Sequence, residues 1–456
     1  MISQFFYLSP RDIEILTQIF IFLKPFLSVV WKIIKNWYWL PLPFFLWKYF
    51  SFLWLSWKND VFVAKDKCIL LEVKFPEEIS KPIRAMETVM DGLRQVLYQL
   101  PDWWEKWIDG EFQRSYSFEI VSIEGAIHFF IRFPERLKDV VEAIIYGEYP
   151  MVELSVAKDY TKNVPQDIPN KEWDLWGTDY RFLKPNCYPI KTYPYFEKET
   201  ALEVEEERVV DPLSLLLESL SKIGPGEQLW VQIGAKPITD AELPWITEGK
   251  KIRDELVKRV SKKPPQKPII LDALNVVISG TPPSPPQEEK KETPMPEMML
   301  TPGEKEVIKR IEEKIAKPAF KCNIRFIYLG KREYFNKAKA KLPFAFFAAL
   351  GTENLNFLVP LGKTLTKIKK SWFLPLNLLR DRRLYVKKRK LFKNYIRRVD
   401  PSYPSPKGAD YSTGSFVLNV EELATIFHFP SKAAAPYYTL PRIEVKGEPP
   451  IQLLKE

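Results

Sequence analysis

The sequence is poor in sulfur and almost without histidine. Its 456 residues hold three cysteines, Cys68, Cys187 and Cys322, and two histidines, His128 and His428. Cysteines so widely spaced and odd in number exclude a zinc finger, a zinc ribbon, a thioredoxin motif and a disulfide framework. They read as small apolar side chains in a reducing compartment. Two histidines at such a distance exclude a multi-histidine metal site and argue against a histidine general base. His128 alternates with Phe130 and Arg132, as a residue on one face of a strand does. His428 closes a short helix before Pro430, where a cation meets the helix dipole.

Other devices are missing too. The segment "LGKTLTK" offers Gly362-Lys363-Thr364, but Phe357 stands where a phosphate-binding loop needs its first glycine. The stretch "EGAIHFFIRF" lacks the basic-Gly-aromatic octamer of base-stacking RNA modules. Acidic runs such as "EVEEER" at 203–208 read as solvated surface, and no two carboxylates are spaced to be nominated as acid and base. A non-enzymatic protein without cofactor or metal is therefore the expectation.

What is present is size, local charge and aromatic residues. The length suits two or three domains with real cores. The net charge is +10, but residues 363–398 alone carry fourteen Lys or Arg against Asp381, which leaves the rest of the chain at −3. An electrostatic partner should be sought at that segment.

The first 58 residues read as a membrane anchor. The run "NWYWLPLPFFLWKYFSFLWLSW" supplies about twenty mostly apolar positions, enough for a bilayer span, with tryptophans suited to the headgroup level. Lys48, Pro41 and Pro43 interrupt it. The preceding "IEILTQIFIFLKPFLSVVWKII" is a second span or an interfacial helix. No cleavage site for a signal peptide follows. The expected location is the inner membrane, with the main part of the chain facing the cytoplasm.

Two corners repeat after the anchor: "VKFPEEISKPI" at 73–83 and "IRFPERLKDVV" at 131–141 each pass from a strand through Phe-Pro-Glu to a helix. Proline is tolerated in the first helical turn and acids suit the positive end of the dipole. With "YSFEIVSIEGAIHFFIRF" as a hairpin around Glu-Gly and "MVELSVA" as a closing strand, residues 59–158 read as a β-α-β-β-α-β, or ferredoxin-like, unit. Residues 159–362 read as a second such unit: "YPIKTY" and "EQLWVQIGAKPI" as strands around the helix "DPLSLLLESLSKI", then "AFKCNIRFIYLG", the helix "REYFNKAKAKLPFAFFAAL" and the strand "NLNFLVPL". Helices near 244–261 and 302–316 and a Pro-rich flexible stretch at about 262–300 interrupt it. The fold class is thus α+β, completed by a basic helical segment at 363–414 and an extended tail at 415–456.

Within the basic segment, "DRRLYVKKRKLFKNYIRRV" places Leu384, Leu391, Tyr395 and Val399 as an interrupted apolar stripe among charges. Arg380, Arg382, Arg383, Lys387, Lys388, Arg389, Lys390, Lys393, Arg397 and Arg398 are the candidate binding cations, for anionic lipid, for DNA or other nucleic-acid phosphates, or for an acidic protein. In the tail, Glu421, Glu422, Leu423, Ile426, Phe427, His428, Phe429 and Pro430 are the candidate docking residues for another subunit.

The anchor together with "LLEVKFPEEISKPIRAMETV", "SFEIVSIEGAIHFFIR", "DYTKNVPQDIPNKEWDLWGTD", "DPLSLLLESLSKIGPGEQLWVQI" and "VLNVEELATIFHFP" resembles a family of membrane-anchored proteins of small-genome bacteria that carries a domain-of-unknown-function label. The tail and the α/β units are similar to the region preceding the motor in TraG/HerA-like coupling ATPases of conjugation and type IV secretion. No Walker motif is carried over onto this sequence, which stops at Glu456. The resemblance implies an accessory scaffold that positions a separate cytoplasmic DNA-translocating ATPase, with homo-oligomerisation possible. A membrane-tethered nucleic-acid-binding protein using 363–398 is the alternative.

Overall fold

The computed structural model describes residues 42–76, 81–196, 211–257, 300–368, 379–401 and 410–430, with scattered positions between 18 and 35. The flexible stretch expected at 262–300, the tail beyond Pro430 and most of the segment before Leu42 lie outside the described residues. Two compact units are present: residues up to Lys65 with Pro101–Phe112, and Asp66–Leu100 with Gln113 onward.

In the smaller unit, helix α1 (Leu42–Lys65) is joined to a π-helical turn at Glu105–Asp109 by a hydrogen bond from Trp54 Nε1 to the Trp107 carbonyl, 2.8 Å. Gly110, at φ 77°, lets the turn close where a Cβ would meet the Lys58 carbonyl. The expected membrane span is corrected here. Among the described residues no helix is long and apolar enough to cross a membrane. The helix begins only at Leu42, and its apolar run ends at Trp57 before Lys58 and Asp60. Sixteen residues rise about 24 Å, short of the ~30 Å of a hydrocarbon core. The inner-membrane location, which rested on that span, falls with it.

The larger unit is α+β. Its strands are β1 (Cys68–Lys74), β2 (Tyr116–Ile123), β3 (Ala126–Pro134), β4 (Glu153–Ala157), β5 (Trp173–Phe182), β6 (Glu227–Ile238), β7 (Ala319–Lys331), β8 (Leu358–Pro360) and β9 (Phe416–Asn419). They form one nine-stranded antiparallel sheet in the order β4-β1-β3-β2-β6-β7-β5-β8, with β9 on the free end of β7. The expectation of two ferredoxin-like units is overturned by this continuity. From each outer edge the order reads fourth, first, third, second strand, but β2 and β6, which two units would leave as free edges, pair from Tyr116–Ala235 to Ile123–Gln228. Both strands are buried almost end to end, so neither shows the alternation of a solvated strand.

Several local expectations also change. "YPIKTY" is not a strand; the strand is β5, whose Asp174, Gly177 and Asp179 disguise it in the sequence. The first Phe-Pro-Glu corner does not open a helix at Pro76, since α2 (Ile83–Leu97) starts after Pro82 and residues 77–80 lie outside the described residues. The second corner makes a 3-10 turn at Glu135–Leu137 before α3 (Lys138–Glu148). The helix expected from Arg332 is confined to α7 (Pro343–Ala349), after α4 (Ser214–Ser221), α5 (Trp245–Leu256) and α6 (Pro302–Ala316). The start of α6 is set by Pro302 and a capping box between Thr301 and Glu304.

Each face of the sheet has its own core. On one, Val73, Phe118, Phe129, Val231 and Phe326 meet apolar residues of α2, α3, α4 and α7. On the other, Leu70, Val121, Phe130, Leu175, Trp230 and Ile327 lie beneath α8 (Arg380–Arg397), which contributes Leu391, Phe392 and Tyr395.

Candidate functional site: a basic helix over a buried polar row

Helix α8 has two faces because its apolar residues recur at three and four positions. Leu391, Phe392 and Tyr395 are buried on Trp230 and Tyr160, and Trp230 lies 5.3 Å from the Tyr395 ring. The seat of the helix uses several cations that the sequence had offered as binding groups. Lys388 is buried on Asp174 at 2.5 Å. Lys387 Nζ donates to the carbonyls of Gly362 and Leu365, both at 3.0 Å, and burial holds its pKa below the ordinary lysine value, with Arg383 adding to the effect. Arg389 Nη1 donates to the Asp167 carbonyl at 2.8 Å. Arg380 pairs with its neighbour Asp381 at 3.2 Å.

Five cations remain outward. Arg382, Arg383, Lys390, Lys393 and Arg397 are exposed, and no carboxylate within ion-pair distance of them is found among the described residues. At 100° per residue they fall within an arc of about 100°, spread over about 22 Å of helix. The result is a stripe of positive charge along one side of the helix.

Arg398 goes inward. It ends α8 in the left-handed region at φ 55°, where its amide meets the carbonyls of Asn394 and Tyr395. That turn sends the guanidinium under the helix to Glu119, with Nε–Oε1 at 2.7 Å, and to Asp159, with Nη1–Oδ2 at 2.9 Å. Ser117, Tyr160 and Gln232 also donate to Glu119, at 2.6, 2.7 and 3.1 Å. Burial pushes the Glu119 carboxyl up, but Arg398 and these donors outweigh it and hold the group below the ordinary carboxylate value. Asp159 is held low against burial by the same guanidinium, and the Arg398 pKa is raised well above normal because Glu119 outweighs its own desolvation.

Glu119 is one member of a row. In register across four strands run Glu119, Gln232, Arg325 and Asp179, all buried on the side of the sheet that α8 covers. Arg325 Nε donates to Asp179 Oδ1 at 2.6 Å and Nη2 to the Val399 carbonyl at 3.1 Å. Burial keeps the Asp179 carboxyl above its usual value in spite of Arg325. The sequence did not reveal this row, since its partners lie 113 to 279 residues apart.

The tail helix is internal rather than a docking surface. Helix α9 (Val420–Ile426) carries Leu423, Ile426, Phe427 and Phe429 into the main core, where Phe427 lies 5.0 Å from Phe118. Glu422 is fully buried on Lys314 at 3.0 Å, and burial raises its pKa although Lys314 opposes the shift. His428 is buried between the Ala424 carbonyl and Asp211, at 2.9 and 2.8 Å, and Pro430 is buried as well. Glu421 alone keeps partial exposure, and it binds Lys317 at 2.6 Å.

Among the described residues no group of His, Cys, Asp or Glu is placed to hold a metal ion. No family model matches the chain, and no curated protein matches it. The resemblance noted from the sequence has no match of either kind behind it, and the geometry of α8 is what bears on function.

Proposed function

We propose that the protein binds nucleic acid through its phosphates, using the outward stripe Arg382, Arg383, Lys390, Lys393 and Arg397. The observation that carries this reading is the division of labour on α8. Cations needed for the fold turn inward or onto carbonyls, while five others have no ion-pair partner among the described residues and lie on one side of a helix whose position is fixed by Phe392, Tyr395 and Arg398. Fixed cations bind a polyanion without the ordering cost that a disordered basic tail meets.

Binding by this stripe is electrostatic, so log affinity for duplex DNA falls linearly with log salt at a slope of about −4.5 for five neutralised phosphates. Replacing Arg382, Arg383, Lys390 and Lys393 by Glu is expected to abolish binding and flatten the slope without shifting the melting temperature, because all four side chains are exposed. Unchanged affinity in that variant, followed by fluorescence anisotropy across a salt series, would sink the proposal.

Of the tail offered for docking by the accessory-scaffold reading, Glu422, Leu423, Ile426, Phe427, His428, Phe429 and Pro430 are buried in this chain's own core, and residues 431–456 lie outside the described residues.

A further inference from the structure

We propose that the ligand of α8 is single-stranded nucleic acid, held by the cations along its backbone with one base stacked on Tyr385. The inference rests on the phosphate-binding reading and adds the class of strand. Two observations carry it.

First, α8 is seated between loops on both flanks. Arg389 is bonded to the carbonyl of Asp167 on one loop, and Lys387 to those of Gly362 and Leu365 on another. A helix that enters the major groove must stand clear of its neighbours over the base edges. This one offers only a strip of its outer face, along which a backbone can run.

Second, an exposed aromatic flanks the strip: Val386 falls inside the arc of the five cations, and Tyr385 about 60° outside its edge, next to Arg382. Tyr385 is 45% exposed and Val386 57% exposed. Tyr385 is the helical neighbour of Arg382 three positions before it and of Arg389 four after, while Val386 lies between Arg382, Arg383 and Lys390 in the same sense. An aromatic ring beside cations has nothing to stack on in a duplex, whose bases are already stacked and face inward. An unpaired base presents its π face, and aromatic stacking beside a basic track is the general means of holding single strands without regard to sequence.

The test compares three probes on the full chain by fluorescence anisotropy: a short mixed-sequence single strand, the duplex of the same sequence, and inorganic polyphosphate as a competitor without bases. The single strand is expected to bind more tightly than the duplex. Tyr385→Ala should weaken the single strand about tenfold and leave the duplex and polyphosphate unchanged, while Tyr385→Phe retains full affinity. Because the ring is exposed, both variants should melt with the parent. Equal loss for all three probes, no loss for the single strand, or a duplex that binds as tightly as the strand overturns the inference while leaving the phosphate-binding reading intact. If none of the three probes binds, that reading fails and this one with it.

Discussion

Arg398 and Arg397 are adjacent and chemically identical, yet they are expected to fail in opposite ways. Arg397 is exposed on the stripe, so Arg397→Ala should weaken nucleic-acid binding with little change in stability. Arg398 is the counter-charge of a fully buried Glu119, and removing one partner of a buried pair costs about 3–5 kcal/mol because the other charge is left stranded. Arg398→Met should lower the urea midpoint accordingly. The pH dependence has a definite sign. Glu119 and Asp159 have folded-state pKa values depressed below the unfolded ones, so their contribution is present above the ordinary carboxylate pKa of about 4 and is lost as pH falls through the lower folded values. Without Arg398, burial pushes the stranded Glu119 carboxyl up, so the variant takes up a proton there before the parent does. The gap between parent and Arg398→Met midpoints should therefore be widest near neutrality, narrow as pH falls, and narrow further below about pH 4 as the parent loses its own share. A gap that stayed constant into acid would show that Arg398 stabilises by packing alone.

At the level of the element, the tail shows how a sequence can mislead. "VEELATIFHFP" reads as a short amphipathic helix on an extended end, but all but one of the residues from Val420 to Pro430 are buried. Asn419 and Glu422 close a capping box, Lys314 neutralises Glu422 from α6, and β9 pairs with β7. A chain ending at Gly414 loses this whole insertion into the core and is expected not to fold. The milder Phe427→Ala, which vacates the space beside Phe118 and Phe129, should cost about 3–5 kcal/mol in urea unfolding. A cost under 1 kcal/mol would mean that the helix is only loosely docked. What the sequence made legible was local. The period of Leu391 and Tyr395 located the buried side of α8, the helix expected near 302–316 is α6, and the apolar run of β6 was read to its ends. Polar residues with distant partners escaped it. The strand β5 went unread because Asp179 has its partner Arg325 in another strand, and Arg398 looked like one more surface cation because Glu119 lies 279 residues away.

At the scale of the molecule, the deciding contact is the seam between β2 and β6. It turns two similar runs of strands into one sheet, and the polar row from Glu119 to Asp179 crosses it. Parting the halves would open eight residues of pairing on each strand and strand Glu119 from Gln232. Unpaired buried carboxylates and backbone groups are costly, so neither half should persist alone. Helix α8 reinforces the seam, because Phe392 lies on Trp230 of β6 while Arg398 at its end binds Glu119 of β2. Native-state hydrogen exchange tests this directly. Amides in β1 and β3 on one side of the seam and in β5 and β7 on the other should lose protection at one common free energy, as members of a single cooperative unit. In Arg398→Met that common value should fall on both sides together. Two separate values in the parent would show that the seam joins independent domains, and the stripe on α8 would then be held by one half only.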